Sequence, residues 1–152
     1  MLHVVVCIKQ VPDTTQVRID PETNTLVREG IPAIINPFDM PAIEAGMQLK
    51  DRYGATVSLL CMGPPQASEA LQKALSYGAD RGVLLSDRAL IGSDTLATSK
   101  ALACGVEALG KEMPVDLVIC GKQTIDGDTA QVGPGIATRL GYTQLTYVGK
   151  IE

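Results

Sequence analysis

Short apolar runs alternate along this chain with segments of helical period, and no other feature restricts the fold as much. The runs are "HVVVCIK" (3–9), "TVSLLCM" (56–62), "GVLLS" (82–86) and "DLVIC" (116–120). Each is nearly continuous, which suits strands covered on both faces, as in a parallel sheet. A fifth candidate, "QLTYV" (144–148), alternates more and is expected at a sheet edge. Between the runs, "PAIEAGMQLKDRYG" (41–54) gathers Ala42, Gly46, Leu49 and Tyr53 on one side, with Ile43 and Met47 beside them. "QASEALQKALSYG" (66–78) stacks Ala67, Ala70, Leu71 and Ala74, then stops at Gly78. In "SDTLATSKALACGVEALGKEM" (93–113), Ser93 or Asp94 is the N-cap, and Leu102, Val106 and Leu109 share a face. "QVGPGIATRLG" (131–141) aligns Gly133, Ile136, Ala137 and Leu140 ahead of Gly141. Strands alternating with helices predict an α/β domain with right-handed crossovers.

One stretch breaks that rhythm. Between the first strand and the first helix lie the residues "VPDTTQVRIDPETNTLVREGIPAIINPFD" (11–39). Within them "VRID" and "NTLV" flank the turn residues "PET", which reads as a surface hairpin. An excursion of this length usually covers a ligand or meets a partner.

Composition removes several function classes. The 152 residues favour one domain, 1–152, and 45% apolar against 20% charged residues allow a proper core. With no Trp, one Phe and four Tyr, stacking platforms for single-stranded nucleic acid are not expected. Thirteen basic against seventeen acidic residues give a net charge of -4, the wrong sign for a phosphate-backbone binder. Cys7, Cys61, Cys104 and Cys120 form no C-x-x-C pair, and His3 is the only histidine, so no metal site is expected. The cysteines read as buried, reduced thiols of a cytoplasmic protein. No apolar stretch approaches the roughly 18 residues of a membrane span, so no membrane insertion is expected. "MLHVVVCIK" lacks the basic region and cleavage site of a leader and reads as a first strand.

In open α/β sheets, ligands bind beyond the carboxyl ends of the strands, near the point where strand order reverses. The segments there are "CIKQVPD" (7–13), "CMGPPQ" (61–66) and "CGKQTIDGDTAQVGP" (120–134). The last is a strand-to-helix turn. A helix starting near Thr129 would leave its first amide N–H groups unpaired, with the helix dipole adding positive potential. Gly127 allows a positive φ, and the Thr129 hydroxyl supplies a further donor. A phosphate or pyrophosphate fits that arrangement. Asp126 or Asp128 can cap backbone N–H groups from the outer side of the turn, ordering the loop without serving as catalytic acids. A capped turn that binds nothing is equally compatible with the spacing. There is no G-x-x-x-x-G-K-[ST], no G-x-G-x-x-G after the first strand and no Ser/His/Asp set, so no catalytic residue is assigned.

Taken together, "VVVCIKQVPDT", "INPFDMPAIEAGMQLKD", "MGPPQASEALQKALSYGADRGVLLSD" and "CGKQTIDGDTAQVGP" resemble the small (beta) subunit of electron transfer flavoproteins, in order and along essentially the whole chain. The resemblance implies a Rossmann-like, doubly wound parallel sheet of strand order 3-2-1-4-5. It also implies a heterodimer with an alpha subunit and a nucleotide in the small subunit, AMP in ordinary members and FAD in electron-bifurcating ones. Carried over, the pocket would use Cys7, Ile8 and Lys9, with Asn36 and Asp39 of "NPFD" folding back over it. Met62 and Gly63 would join them, as would Cys120, Gly121, Gln123, Thr124, Asp126, Gly127, Asp128, Thr129, Ala130, Gln131, Val132 and Gly133. "NPFD" also reads simply as a helix start, with Asp39 as cap and Pro41 in the first turn. "DGDTAQVGP" resembles the bifurcating version, which implies FAD, with electrons passing from NADH or an acyl-CoA dehydrogenase to other acceptors. The family's subunit continues into a segment that embraces the alpha subunit and carries the loop recognising acyl-CoA dehydrogenase or another flavoprotein redox partner. That C-terminal part is expected to be absent here. The alternative is a non-redox, adenine-nucleotide-binding regulatory module of the stress-protein type, which shares the architecture.

Overall fold

A computed structural model describes residues 1–13, 18–19, 26–27 and 32–151. Four parallel strands form its main sheet: β1 (His3–Ile8), β6 (Thr56–Met62), β7 (Arg81–Leu85) and β8 (Leu117–Cys120). Their order is β7-β6-β1-β8, so the chain reverses direction of winding at β1. Helices α1 (Met40–Tyr53) and α2 (Ser68–Leu75) cover one face, and α3 (Thr95–Glu112) and α4 (Val132–Leu140) cover the other.

The near-continuous apolar runs have the expected cause. Side chains of a strand alternate between faces. In β1, Val4, Val6 and Ile8 therefore enter the cluster under α1 and α2 with Ile43, Leu49 and Leu71, while Val5 and Cys7 join Leu102, Val106, Leu109 and Ile136 beneath α3 and α4. Both faces of the strand are buried, so polar alternation would strand polar groups in a core. Full burial of a Val or Leu side chain contributes about 1.5–3 kcal/mol. On α1, Ala42, Ile43, Gly46 and Leu49 are buried as expected, but Tyr53 projects into solvent at the helix end. Asp94, not Ser93, caps α3, its carboxylate accepting the Ala97 N–H at 2.8 Å. Gly135 lets α4 lie against α3: a Cβ there would meet Ser99 Cβ and Oγ at 2.7 Å.

The excursion after β1 carries two antiparallel ladders. The expected hairpin is present where described, with β3 (Arg18–Ile19) paired to β4 (Leu26–Val27); its turn residues, 21–23, lie outside the described residues. A second ladder, absent from the sequence reading, joins β2 (Gln10–Pro12) to β5 (Ala33–Ile35) and closes the base of the excursion against the end of β1.

The fifth strand is not formed. Residues 144–148 make no ladder, so among the described residues the sheet shows the 3-2-1-4 part of the expected 3-2-1-4-5 order. Leu145 and Tyr147 are about four-fifths exposed (79% and 83%), and Tyr147 adopts φ +53, a left-handed conformation outside the strand region. Alternating apolar residues become a strand only where another element covers one face, and no described element does so here. No described helix is long and apolar enough to cross a membrane.

Candidate functional site

The parallel order places the carboxyl ends of β6, β1 and β8 side by side. In register, Cys7 lies opposite Leu60 on one side and Cys120 on the other, and Ile8 lies opposite Cys61. Lys9 and Gly121 follow directly beyond the sheet. Met62 and Gly63 end β6 on the far side of β1, where the Gly63 N–H donates to Leu85 O at 3.1 Å and Gln10 Nε2 donates to Gln66 O at 3.2 Å. The expected strand ends therefore converge. The closest connections, however, run between β1, residues 36–39 and the loop after β8.

Asn36 precedes, and Asp39 ends, a tight helical turn, Pro37–Asp39, that leads into α1. Asp39 occupies the N-cap position of α1 and Pro41 its first turn, as the helix-start reading has it, yet the Asp39 side chain makes no capping bond. It accepts instead the Lys9 N–H at 2.8 Å. The Asn36 N–H donates to Lys9 O at 2.8 Å, Asn36 Nδ2 donates to Gln123 O at 2.8 Å, and Asn36 Oδ1 accepts the Ile125 N–H at 3.2 Å. "NPFD" is thus bonded to the loop after β8 through Asn36.

In that loop the glycine and helix expectations need correction. Helix α4 begins at Val132, three residues after Thr129, with Gln131 as N-cap and no side-chain cap. The left-handed residues are Asp128 (φ +52) and Ala130 (φ +54), and Gly127 does not take a positive φ. The reason is local. The Gly127 and Asp128 N–H groups both bend back to Thr124 O, at 3.4 and 2.9 Å, so the reversal closes before Gly127 needs special dihedrals. Asp128 is one of the residue types best able to adopt the left-handed region. Ala130, followed by the right-handed Gln131 (φ -103, ψ -14), produces the alternation that turns successive N–H groups into one concavity. The amides of Val132 and Gly133 add to it as the first, unpaired donors of α4. Thr129 lies exposed beside them.

The acids do not cap backbone N–H groups as their principal bonds. Asp126 is held by Lys9, whose Nζ lies 2.9 and 2.7 Å from its two carboxylate oxygens, and Asp128 Oδ1 accepts Gln123 Nε2 at 2.7 Å. Desolvation raises the Asp126 carboxyl, but hydrogen bonds from Lys9 and Thr124 outweigh it and hold the group below its ordinary range. On Asp39 the balance is reversed: burial prevails and pushes it up to about 6 despite bonds from Lys9, Asn36 and Gly121. A hydrogen bond to Cys120, with burial, raises the Cys7 thiol, and burial pushes Cys61 up to about 11. Cys7 and Cys61 are buried thiols, as expected, whereas Cys104 is exposed and Cys120 half-buried, which departs from the buried reading. No cluster of metal-ligating side chains occurs among the described residues.

This architecture defines a class: a Rossmann-like α/β domain whose loops gather beyond its first strand, where the winding reverses. The family model described as "Electron transfer flavoprotein domain" matches residues 23–152, and the chain belongs to that family. It is 61% identical over 152 residues to "Protein FixA" of Bradyrhizobium diazoefficiens, covering 99% of this chain and 53% of that protein. It is 58% identical over 151 residues to "Electron transfer flavoprotein subunit beta" of Clostridium acetobutylicum, covering 99% of this chain and 57% of that protein. The corresponding subunit of Thermoanaerobacterium thermosaccharolyticum is 52% identical over 151 residues, 99% of this chain and 56% of that protein. The chain thus spans about half the length of these curated relatives.

Proposed function

We propose that this chain is the nucleotide-binding part of an electron transfer flavoprotein beta-type subunit that works with an alpha-type partner. The observation that carries the reading is the left-handed Ala130 followed by right-handed Gln131 at the start of α4, in a loop tied to Lys9 through Asp126 and in a chain matched over 99% of its length by a relative named for that subunit. The match to the electron transfer flavoprotein domain favours it over a non-redox nucleotide regulator.

The residues suit a phosphate or pyrophosphate. The left-handed then right-handed backbone at Ala130 and Gln131 suits a concave set of N–H donors, Thr129 adds a hydroxyl, and Ala130 keeps its backbone approachable by presenting only a methyl group. The ligand proposed is FAD, with AMP the alternative. When bound, FAD supplies the one- and two-electron chemistry. This chain's residues bind and orient it: the amides of the loop take the pyrophosphate, Lys9 offers a cation, and Met62 and Gly63 border the far side. With no Trp and one Phe, the chain offers few ring-stacking side chains of its own, so the alpha-type partner contributes to holding the flavin. The electron source proposed is NADH or an acyl-CoA dehydrogenase. In the bifurcating form, the two electrons of one hydride are divided, one to a flavin in the partner and one to a low-potential acceptor.

The test is to purify the protein with its alpha-type partner and count flavin and AMP. Two FAD per pair are expected. One FAD and one AMP would refute bifurcation while leaving the electron-transfer reading intact. A pair without any flavin would refute the proposal altogether.

A further inference from the structure

We infer that Asn36, Asp39 and Gly121 are positioning residues: they form an interlock that fixes residues 121–125 of the nucleotide loop against the end of β1. Its functional meaning rests on the nucleotide-site reading above; its geometry does not.

Burial argues first. Asn36 is 0% exposed and Asp39 5% exposed, so both side chains are enclosed by protein. Both ends of the Asn36 amide and Asp39 Oδ2 are engaged with backbone. A primary amide offers the same donor and acceptor as a peptide group. Asn36 uses both on the loop, donating to Gln123 O and accepting from the Ile125 N–H, as a neighbouring strand would. Asp39 links the two strand ends, accepting the N–H of Lys9 after β1 at 2.8 Å while its carboxylate lies against Gly121 after β8. The peptide groups of Lys9 are taken up in the same turn, its N–H by Asp39 and its carbonyl by the Asn36 N–H. Backbone groups that would otherwise lose their ladder partners at the edge of the sheet are thereby satisfied by one four-residue turn.

Gly121 completes the interlock by being absent in side chain. A Cβ there would overlap Asp39 Oδ1 and approach the Phe38 carbonyl oxygen to 2.5 Å, and that carbonyl, being backbone, cannot rotate away. The approach of the loop to the turn is therefore available to glycine alone. Beyond Ile125 the loop is tied back by Lys9 to Asp126 and Gln123 to Asp128, both pairs exposed, and by its own turn bonds to Thr124 O. The donors at 130–133 thus inherit their position from a buried anchor at 121–125. Ordering that segment in advance removes an entropic penalty from binding.

The experiment is amide hydrogen exchange on the full-length protein freed of nucleotide, followed by titration with AMP and with FAD. In Asn36→Ala, exchange at Ile125 should accelerate about tenfold or more, as expected for loss of a buried hydrogen bond. Core amides of β1 and β6, such as Val5 and Val57, should keep their rates. Asp39→Ala should release Lys9, and Asp39→Asn, which keeps one acceptor oxygen, should recover protection there. Asn36→Ser serves as a milder second variant where Asp39→Ala fails to fold. AMP and FAD affinity should fall by a factor similar to the gain in exchange. Weaker affinity with unchanged loop exchange would make the residues ligands and overturn the inference. Equal acceleration of loop and core amides would reduce the role to general stability and also overturn it. Accelerated loop exchange in a protein that binds neither AMP nor FAD would uphold the interlock and refute the nucleotide reading.

Discussion

Asp39→Asn provides a quantitative test of the buried carboxylate. In the folded protein this group titrates near about 6, against about 3.9 when unfolded, because burial outweighs the N–H bonds it accepts. Between those values the folded state binds more protons than the unfolded one. Stability from this group is therefore fully present below the unfolded value and is lost as pH rises through 6. A shift of about two units corresponds to about 3 kcal/mol in all, and about 1.4 kcal/mol of it falls between roughly pH 5 and pH 7.5. Asparagine does not titrate, so the variant lacks this component. The Cys7 and Cys61 thiols facing Asp39 stay protonated throughout that window because their own values are raised. Urea unfolding of both proteins should show the wild type gaining about 1.4 kcal/mol on the variant when the pH is lowered from about 7.5 to about 5. Parallel pH profiles would mean that Asp39 is not desolvated in the folded protein, and the account of the turn would fail.

Gly135→Ala should destabilise by about 1–3 kcal/mol through overpacking, since the new methyl group would sit 2.7 Å from Ser99 Cβ; unchanged urea unfolding would show that α4 is not seated on α3 as described. Asp94→Ala should cost about 1 kcal/mol by removing the α3 cap on Ala97, read by the same assay. Lys9→Met should change stability by less than about 1 kcal/mol, because the Lys9–Asp126 pair is partly exposed (42% and 31%). It should nevertheless raise the Asp126 titration measured by NMR, and an unmoved titration would show that Lys9 does not hold that carboxylate.

The fold was legible in the sequence wherever one residue type could satisfy only one environment. Continuous apolar runs demanded burial on both faces, and four became the parallel strands. Helical repeats such as Ala70, Leu71 and Ala74 likewise found their core. The pattern at 144–148 failed for the converse reason: alternation states a capacity to pair, and only a covering element turns it into a strand. The converging strand ends were also foreseeable, because parallel crossovers leave loops at the same edge of the sheet.

What the sequence alone determined was therefore the class of fold, the face of each helix and the edge of the sheet where the loops meet. Local composition sufficed, since hydrophobic period and chain direction are properties of neighbouring residues. Only the tertiary structure decided that Asn36 and Asp39 face inward, that Asp128 and Ala130 take the left-handed turn, and that Lys9 pairs with Asp126. Asn36 finds its partners 87 and 89 positions away, and Lys9 meets Asp126 across 117 positions. Contacts of that separation depend on the assembled sheet, which brings the ends of β1 and β8 together before any side chain can choose between ligand and backbone.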